Sequence, residues 1–433
     1  MNLTELLVKT KVGMGPQKRT EHPSKHKVLV VNSGSTGLKL LAQTEKEYLT
    51  QEISRVGSLN MTELIDLTLG WFNTFSGMQV SDLDAVAFMP GAGLQSVDKL
   101  GIYQMNAQML DDLNHPTFNH ASNNAGIIAY SLVTCISGKE IPCYTQDLIT
   151  THQLCPEASI SGHALFPRIQ RIHALNLTSA LRKAAEELGI DFDRMNAIGV
   201  QWGGGIGLAG LRNGRYEDFI DAGGESMSPN RSGGPHLNVM RVVDYIKAER
   251  KAGRDVDPVI LEKMLMKEGG LMSYTGTDDV EVIQNIRENL EIARAYYAGK
   301  KDFFNDLFRS WNLKVPEAEA PRQVMRLCGR VLDSMLYQIG KGVGGLKSSL
   351  FADDPLDAIV VTGGIAQSKS LAHDLKVRYL NQFENEGIQI RFYPGQAELE
   401  VLRDGAIEAL EHPDRVQNYS SSIIQNPNAL LFK

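Results

Sequence analysis

The residues of this chain that could do chemistry gather in short glycine-rich stretches. Residues 27–40 read KVLVVNSGSTGLKL. Val28 to Val31 is an apolar, β-branched run that suits a buried strand. Asn32-Ser33-Gly34-Ser35-Thr36-Gly37 follows, and Leu38-Lys39-Leu40 starts a second strand. Two glycines permit a tight turn and leave backbone N–H groups uncovered. Ser35 and Thr36 add hydroxyl donors and Lys39 adds a cation, so the turn could hold phosphate. It lacks the GxxxxGK[ST] pattern, and strand-turn-strand replaces strand-turn-helix. Taken alone it reads equally well as an ordinary Ser/Gly hairpin.

The same design recurs half-way along, where VQWGGGIGLAGL places Gly203, Gly204 and Gly205 between two apolar runs. A repeated phosphate-type hairpin suggests a duplicated fold with a cleft between its halves. Asp357 to Thr362 is a third β-rich run, ending in Gly363-Gly364, which suits close backbone approach to a flat ligand such as adenine.

These turns need elements to carry them. Met61 to Phe75 has helical apolar spacing, and Leu83 to Phe88 reads as a strand entering Met89-Pro90-Gly91-Ala92-Gly93. A helix over Met105 to Leu113, the polar knot at 120–124 and a helix over Gly126 to Val133 precede a strand at Ile141 to Thr145. Asp147 sits just past that strand. An amphipathic helix runs from His173 to Leu188 with Gly189 as its stop. Residues 269–279 read as a loop opening a helix at Val280. Val331 to Val343 is helical, with Gly340 and Gly342 permitting close packing, and Glu398 starts a helix to Leu410. Strands alternating with helices argue for α/β layering.

At 433 residues the chain exceeds one core, so two domains are expected. Hydrophobic content of 42% and charged content of 22% are ordinary for a globular protein. A net charge of -7 and the lack of a basic run with interleaved aromatics argue against nucleic-acid binding. Four scattered cysteines fit neither a disulfide framework nor a zinc knuckle and suit a reducing interior. No stretch approaches a signal-peptide core or a membrane span, so a cytoplasmic location is expected. Residues 1–26 read as a loose extension and 411–433 as a surface tail. The first domain is expected over 27–165, completed by 396–433, and the second over 166–395.

The ordered blocks VVNSGSTGLKL, HASNNAG, PCYTQDLITTHQLCPEASISG, RIHALN, WGGGIGLAGLRNGR, SPNRSGG, GGLMSYTGTDD, VVTGGIA and YPGQAELEVLRDGA cover about 27–410. Together they resemble the butyrate kinase branch of the acetate kinase family, within the actin-like, sugar-kinase and heat-shock ATPase superfamily. The resemblance implies duplicated ribonuclease H-like α/β domains with a nucleotide cleft between them. It also implies transfer of the γ-phosphoryl of ATP to a short-chain fatty acid or other small acid, with Mg2+, giving ADP and an acyl phosphate. A homodimer is implied by the resemblance alone. That chemistry asks for positioning and charge neutralisation.

By resemblance, Arg231 in SPNRSGG meets the developing charge, His173 donates to the transferring phosphoryl oxygens, and Asp147 helps to fix the metal. Asn32 stands near the magnesium, Ser35 and Thr36 contact phosphate, and Lys39 is the family lysine. Gly203, Gly204 and Gly205 hold the β- and γ-phosphates by backbone N–H, while Asp278, Gly363 and Gly364 border the adenosine. Glu398 falls at a magnesium-associated glutamate, although an acid in a first helical turn also serves the helix dipole. Against these readings stand blander ones: Lys39 as a solvated strand-end cation, Asp147 as a turn aspartate, and His173 as a cap or packed core residue.

Two departures stand out. Gly37 replaces a third hydroxyl. More consequentially, residues 88–94 read FMPGAGL, where butyrate kinases carry an arginine thought to hold the substrate carboxylate. A lost charge-assisted hydrogen bond costs ~1.5–3 kcal/mol, and a lost transition-state donor ~100–1,000-fold in rate. The alternatives are therefore a same-fold kinase with a different acceptor, or a catalytically impaired nucleotide-binding paralogue. Arg171 is a candidate replacement, against the reading of an exposed helix arginine. An aromatic and charged insertion over 297–326 reads as either a lid or an oligomer contact.

Overall fold

The computed structural model describes residues 16–20, 23–34, 37–116, 120–135, 140–233, 237–395 and 397–424. Within these, the strands are β1 (Gln17–Arg19), β2 (Val28–Ser33), β3 (Gly37–Gln43), β4 (Tyr48–Ser54), β5 (Ala85–Phe88), β6 (Ile102–Gln104) and β7 (Cys143–Gln146). They continue with β8 (Ala197–Trp202), β9 (Ile206–Arg212), β10 (Arg215–Ile220), β11 (Ala358–Gly363), β12 (Gln389–Pro394) and β13 (Val416–Gln417). Contacts divide the chain into two compact units, Met1–Ser179 with Ala397–Lys433, and Ala180–Gln396.

Each unit is built on one sheet. The first has the order β1-β4-β3-β2-β5-β7-β6-β13 and the second β10-β9-β8-β11-β12. Inside both lies one arrangement: an antiparallel meander (β2-β3-β4, β8-β9-β10) whose first strand pairs in parallel with a later strand (β5, β11), which in turn pairs in parallel with another (β7, β12). The duplication read from the two glycine hairpins is thus present in the strand order itself, in an α/β fold of two sheets.

The continuous apolar run of β2 has a simple cause. Leu29 and Val31 pack with the helix Met61–Ser76 and the helix Asn123–Cys135 on one face, through Leu67, Trp71, Phe72, Ile128 and Leu132. Val28 and Val30 pack on the other face with Leu175, Leu402 and Ala406. A strand covered on both sides has no solvent face to pattern. Met61–Ser76 starts at a capping box, with Asn60 accepting from the Glu63 N–H and the Glu63 carboxylate accepting from the Asn60 N–H. It stops at Gly77, which is left-handed at φ 69°.

In the second unit the helix Ala320–Leu350 lies on the sheet. A Cβ on Gly342 would stand 2.7 Å from Ile220 Cδ1, and one on Gly340 2.7 Å from Tyr379 Cβ. The small residues therefore serve close packing, as expected.

Other expectations are corrected. Within the extension, Gln17–Arg19 is an edge strand paired with β4, and Lys18 reaches Glu47. Lys25 and His26 both reach Glu411. Within the supposed surface tail, β13 pairs with β6, and Tyr419 is fully buried, its hydroxyl bound to Asp112. Residues 270–275 are a helix, not loop. Gly270 is left-handed there, and a Cβ on it would meet Ser228 O at 1.8 Å. Tertiary packing, not propensity, shapes that helix. The division between units falls after Ser179 instead of at 165. Residues just before it are tied to the first unit: the Ile172 N–H donates to Ile149 C=O, and Leu175 lies in that unit's core.

Candidate functional site

In the first unit, Asn32 and Lys39 are cross-strand partners on β2 and β3, so their side chains leave the same face of the sheet. Both meet Glu398, the first residue of the helix Glu398–Glu411. Asn32 Nδ2 donates to Glu398 Oε2 at 2.8 Å, and Lys39 Nζ lies 3.7 Å from the same oxygen. Asn176 Nδ2 donates to Oε1 at 2.9 Å. The glutamate side chain is only 12% exposed. Gly405 lets its helix approach β7, since a Cβ there would fall 1.5 Å from Gln146 Oε1.

Three of the expected residues therefore converge, and Asn176 is a fourth that the sequence reading missed. Asn176 stands in the first turn of the helix Ala174–Leu188, just after His173. The turn residues Ser35 and Thr36 lie outside the described residues; the Gly34 N–H donates across the turn to Gly37 C=O at 2.8 Å.

Strands β2, β5 and β7 run parallel. Asn32, the segment after β5 and Asp147 thus lie side by side at the carboxyl edge of the sheet, the usual place for ligands in such folds. Asp147 is 1% exposed and held at φ 44°. Its Oδ1 accepts from the Gly101 N–H at 2.9 Å, and its own N–H donates to Gly101 C=O at 2.9 Å. A non-glycine residue in this region of backbone space is over-determined by its surroundings, as site residues often are. His173 is half-buried just ahead of the helix Ala174–Leu188, whose Leu177 N–H donates to its carbonyl.

The arginine-free segment is tightly built. The Ala92 N–H donates to Ser122 Oγ, and the Gly93 N–H to Asn123 Oδ1 at 2.9 Å. A Cβ on Gly91 would stand 2.6 Å from Asn123 Oδ1 and 2.8 Å from Leu113 Cδ2. No side chain fits at Gly91 without displacing its neighbours. Arg171 lies ahead of the helix, not on it, and is half-buried.

In the second unit, Gly203, Gly204 and Gly205 form the turn between β8 and β9. Arg231 packs directly on it: a Cβ on Gly205 would lie 2.7 Å from Arg231 Nη1. That nitrogen donates to Ala222 C=O at 3.1 Å. Burial lowers the guanidinium's pKa and Asp221 opposes the shift, but arginine stays charged at any physiological pH. Gly363 closes the other side of the turn. It is left-handed at φ 105°, and a Cβ would stand 2.4 Å from Trp202 O. Gly204, Asn230, Asp278, Gln284 and Gly364 line a cavity of about 660 Å³, within the range of small-molecule pockets. Asn230 Nδ2 donates to Asp278 Oδ2 at 3.0 Å, fixing that carboxylate at the rim.

Among the described residues no group of three or more His, Cys, Asp or Glu could hold a metal ion by itself. Magnesium needs no such cage, because it keeps several waters and takes one or two carboxylates plus phosphate oxygens. Glu398, flanked by the amides of Asn32 and Asn176, fits that kind of donor set. No helix among the described residues is long and apolar enough to cross a membrane. Cys143 and Cys328 are buried free thiols.

No family model matches the chain. It is 29% identical over 404 residues to a probable butyrate kinase 2 of Caldanaerobacter subterraneus subsp. tengcongensis, covering 91% of this chain and 99% of the relative. An acetate kinase of Porphyromonas gingivalis superposes with a TM-score of 0.63 at 14% identity, over 88% of this chain and 99% of that one. A propionate kinase of Francisella tularensis gives 0.62 at 15% identity, over 88% and 98%. By sequence the chain is similar to a probable butyrate kinase, and by fold it shares the two-sheet α/β architecture of an acetate kinase and a propionate kinase.

Proposed function

We propose that the protein transfers the γ-phosphoryl group of ATP to the carboxylate of a short-chain fatty acid. A carboxylate oxygen bonds to the γ-phosphorus, the bond to the β,γ-bridging oxygen breaks, and ADP leaves with that electron pair. The observation that carries this reading is the packing of Arg231 on Gly205, in a chain alignable almost end to end with a probable butyrate kinase.

In this scheme the N–H groups of Gly203, Gly204 and Gly205 hold the β- and γ-phosphates. Asp278, Gly363 and Gly364 border the nucleoside. Arg231 offsets charge on the transferring group, which for phosphoryl transfer is the main demand on the protein. In the first unit, His173 would donate to phosphoryl oxygens, and Asp147, locked by Gly101, would help to fix the metal. Lys39, with the hydroxyls of Ser35 and Thr36, neutralises phosphate on the first unit. Glu398 and Asn32 would hold magnesium, which when bound neutralises phosphate charge.

The test is a coupled ADP-release assay over linear and branched acids of two to six carbons; no acid-dependent turnover would overturn the proposal. One observation favours a second reading, in which the acceptor is not a simple fatty acid. Residues 88–94 carry no cation and Gly91 has no room for a side chain. Hydroxylated and dicarboxylic acids in the same panel decide between the two. ATP binding without transfer to any acid would identify an impaired paralogue.

A further inference from the structure

We infer that the start of the insertion, with Tyr296 just before it, braces the nucleotide loop from behind, Lys300 and Tyr296 being positioning residues for ATP; this rests on reading the cavity beside Asp278 as the nucleotide pocket. The loop in question follows the helix Gly270–Thr275, turns at Gly276 and delivers Asp278 and Asp279 to the cavity. Asp279 caps the helix Val280–Glu288 by accepting from the Glu281 and Val282 N–H groups. That helix forms the next part of the cavity wall, through Glu281, Gln284 and Glu288. The geometry of the loop is therefore the geometry of one side of the pocket.

Three contacts reach this loop from the helices Leu290–Gly299 and Lys301–Ser310 and their flanks. Lys300 Nζ donates to Gly276 C=O at 2.9 Å. The Tyr296 hydroxyl donates to Thr275 C=O at 2.9 Å. The Trp311 ring stands 6.1 Å from that of Tyr274. Lys300 also lies against the Tyr296 ring, 5.7 Å from its centroid. Gly276 is left-handed at φ 73°, and a Cβ on it would come within 3.2 Å of Lys300 Cδ and 3.4 Å of Phe303 Cδ1. The turn is thus fitted to the lysine stem as well as bonded to its head.

Two consecutive carbonyls at the end of a one-turn helix would otherwise have only water as partner. An ammonium and a phenol fix their direction, and with it the entry of the chain toward Asp278. Thr275 Oγ1 reaches the Leu271 and the Thr277 carbonyls, and the Asp279 N–H donates to Thr277 Oγ1, so displacement of the carbonyls passes along the turn to Asp279 and the chain that carries Asp278. The insertion then acts on nucleotide affinity, not on the chemical step.

The test uses the full-length protein and Lys300→Met, Lys300→Arg and Tyr296→Phe. Binding of a non-hydrolysable ATP analogue is measured by calorimetry, beside KM for ATP, KM for the acid and kcat. Lys300→Met and Tyr296→Phe should each weaken analogue binding and raise KM for ATP by about 3–10-fold. The acid KM and the kcat at saturating ATP should stay within about twofold of wild type, and Lys300→Arg should recover most of the affinity. Unchanged analogue affinity in both loss variants overturns the inference. So does a fall in melting temperature with equal loss in every kinetic parameter, the mark of a merely structural role. If the wild type itself binds no analogue, the nucleotide reading of the cavity has failed instead.

Discussion

Replacing Gly205 by alanine moves Arg231 without removing it. The new Cβ would lie 2.7 Å from Nη1, 3.1 Å from Cζ and 3.3 Å from Ala222 Cβ. Ordinary contact is 3.4–4 Å, so the guanidinium must retreat by about 0.7–1.3 Å and release its 3.1 Å bond to Ala222 C=O. Gly205 is not in the left-handed region, so alanine itself is unstrained there. Misplacing a reacting group by about an ångström costs ~100-fold in rate. The expected result is a kcat lowered about 100-fold in the coupled ADP-release assay, with melting temperature little changed. Arg231→Lys, which loses the planar fork, should fall by ~100–1,000-fold. Gly224→Ala is the control, because nothing lies within 4 Å of its Cβ. If Gly205→Ala keeps kcat within about threefold of wild type while Arg231→Lys does not, the guanidinium does not act from the position it holds over the turn.

Glu398→Gln preserves shape but sets an NH2 against the amide donor of Asn32 or Asn176 and removes the charge facing Lys39. It should lower unfolding free energy by about 1–3 kcal/mol in urea titrations and kcat by ~100-fold; unchanged values in both would refute the assembly. His152 is 2% exposed, and burial lowers its pKa to about 4. Its Nδ1 accepts from the Gln170 N–H, and the native state keeps the ring neutral. The unfolded state gains a proton as pH falls through about 6.5, the native state only near 4, so stability is full above about 6.5 and drops by about 3 kcal/mol toward pH 4. His152→Gln should flatten that acid limb in urea unfolding measured against pH. Tyr419→Phe leaves Asp112, 8% exposed, without its phenol donor, and the Gln95 N–H without an acceptor. A loss of about 1–3 kcal/mol is expected by urea unfolding, and a neutral result would remove the anchoring role of the C-terminal segment.

Much of the site was legible because its turns are written locally. Gly203-Gly204-Gly205 between apolar runs, Gly363-Gly364 after a β-rich run, and Glu398 at a helix start all state their backbone without reference to distant residues. The hairpin at Asn32 was legible as a turn but not as a partner of Glu398, 366 residues away. Asn176 was passed over because a polar residue on an amphipathic helix has no reason of its own to face inward. The short edge strands Gln17–Arg19 and Val416–Gln417 were missed for a related reason: polar residues join an edge only when a neighbouring strand offers its free backbone groups.

Local preference and apolar period acted over a few residues at a time, and from them came the α/β class, the duplicated hairpins and the places where glycine is required. Tertiary structure alone decided which of those places meet: a carboxylate drawing Asn32, Lys39 and Asn176 together, an arginine laid across Gly205, and an insertion turned against Gly276. Such meetings depend on how sheets and helices pack. Packing energy is shared among many distant side chains, so no short window of sequence contains it.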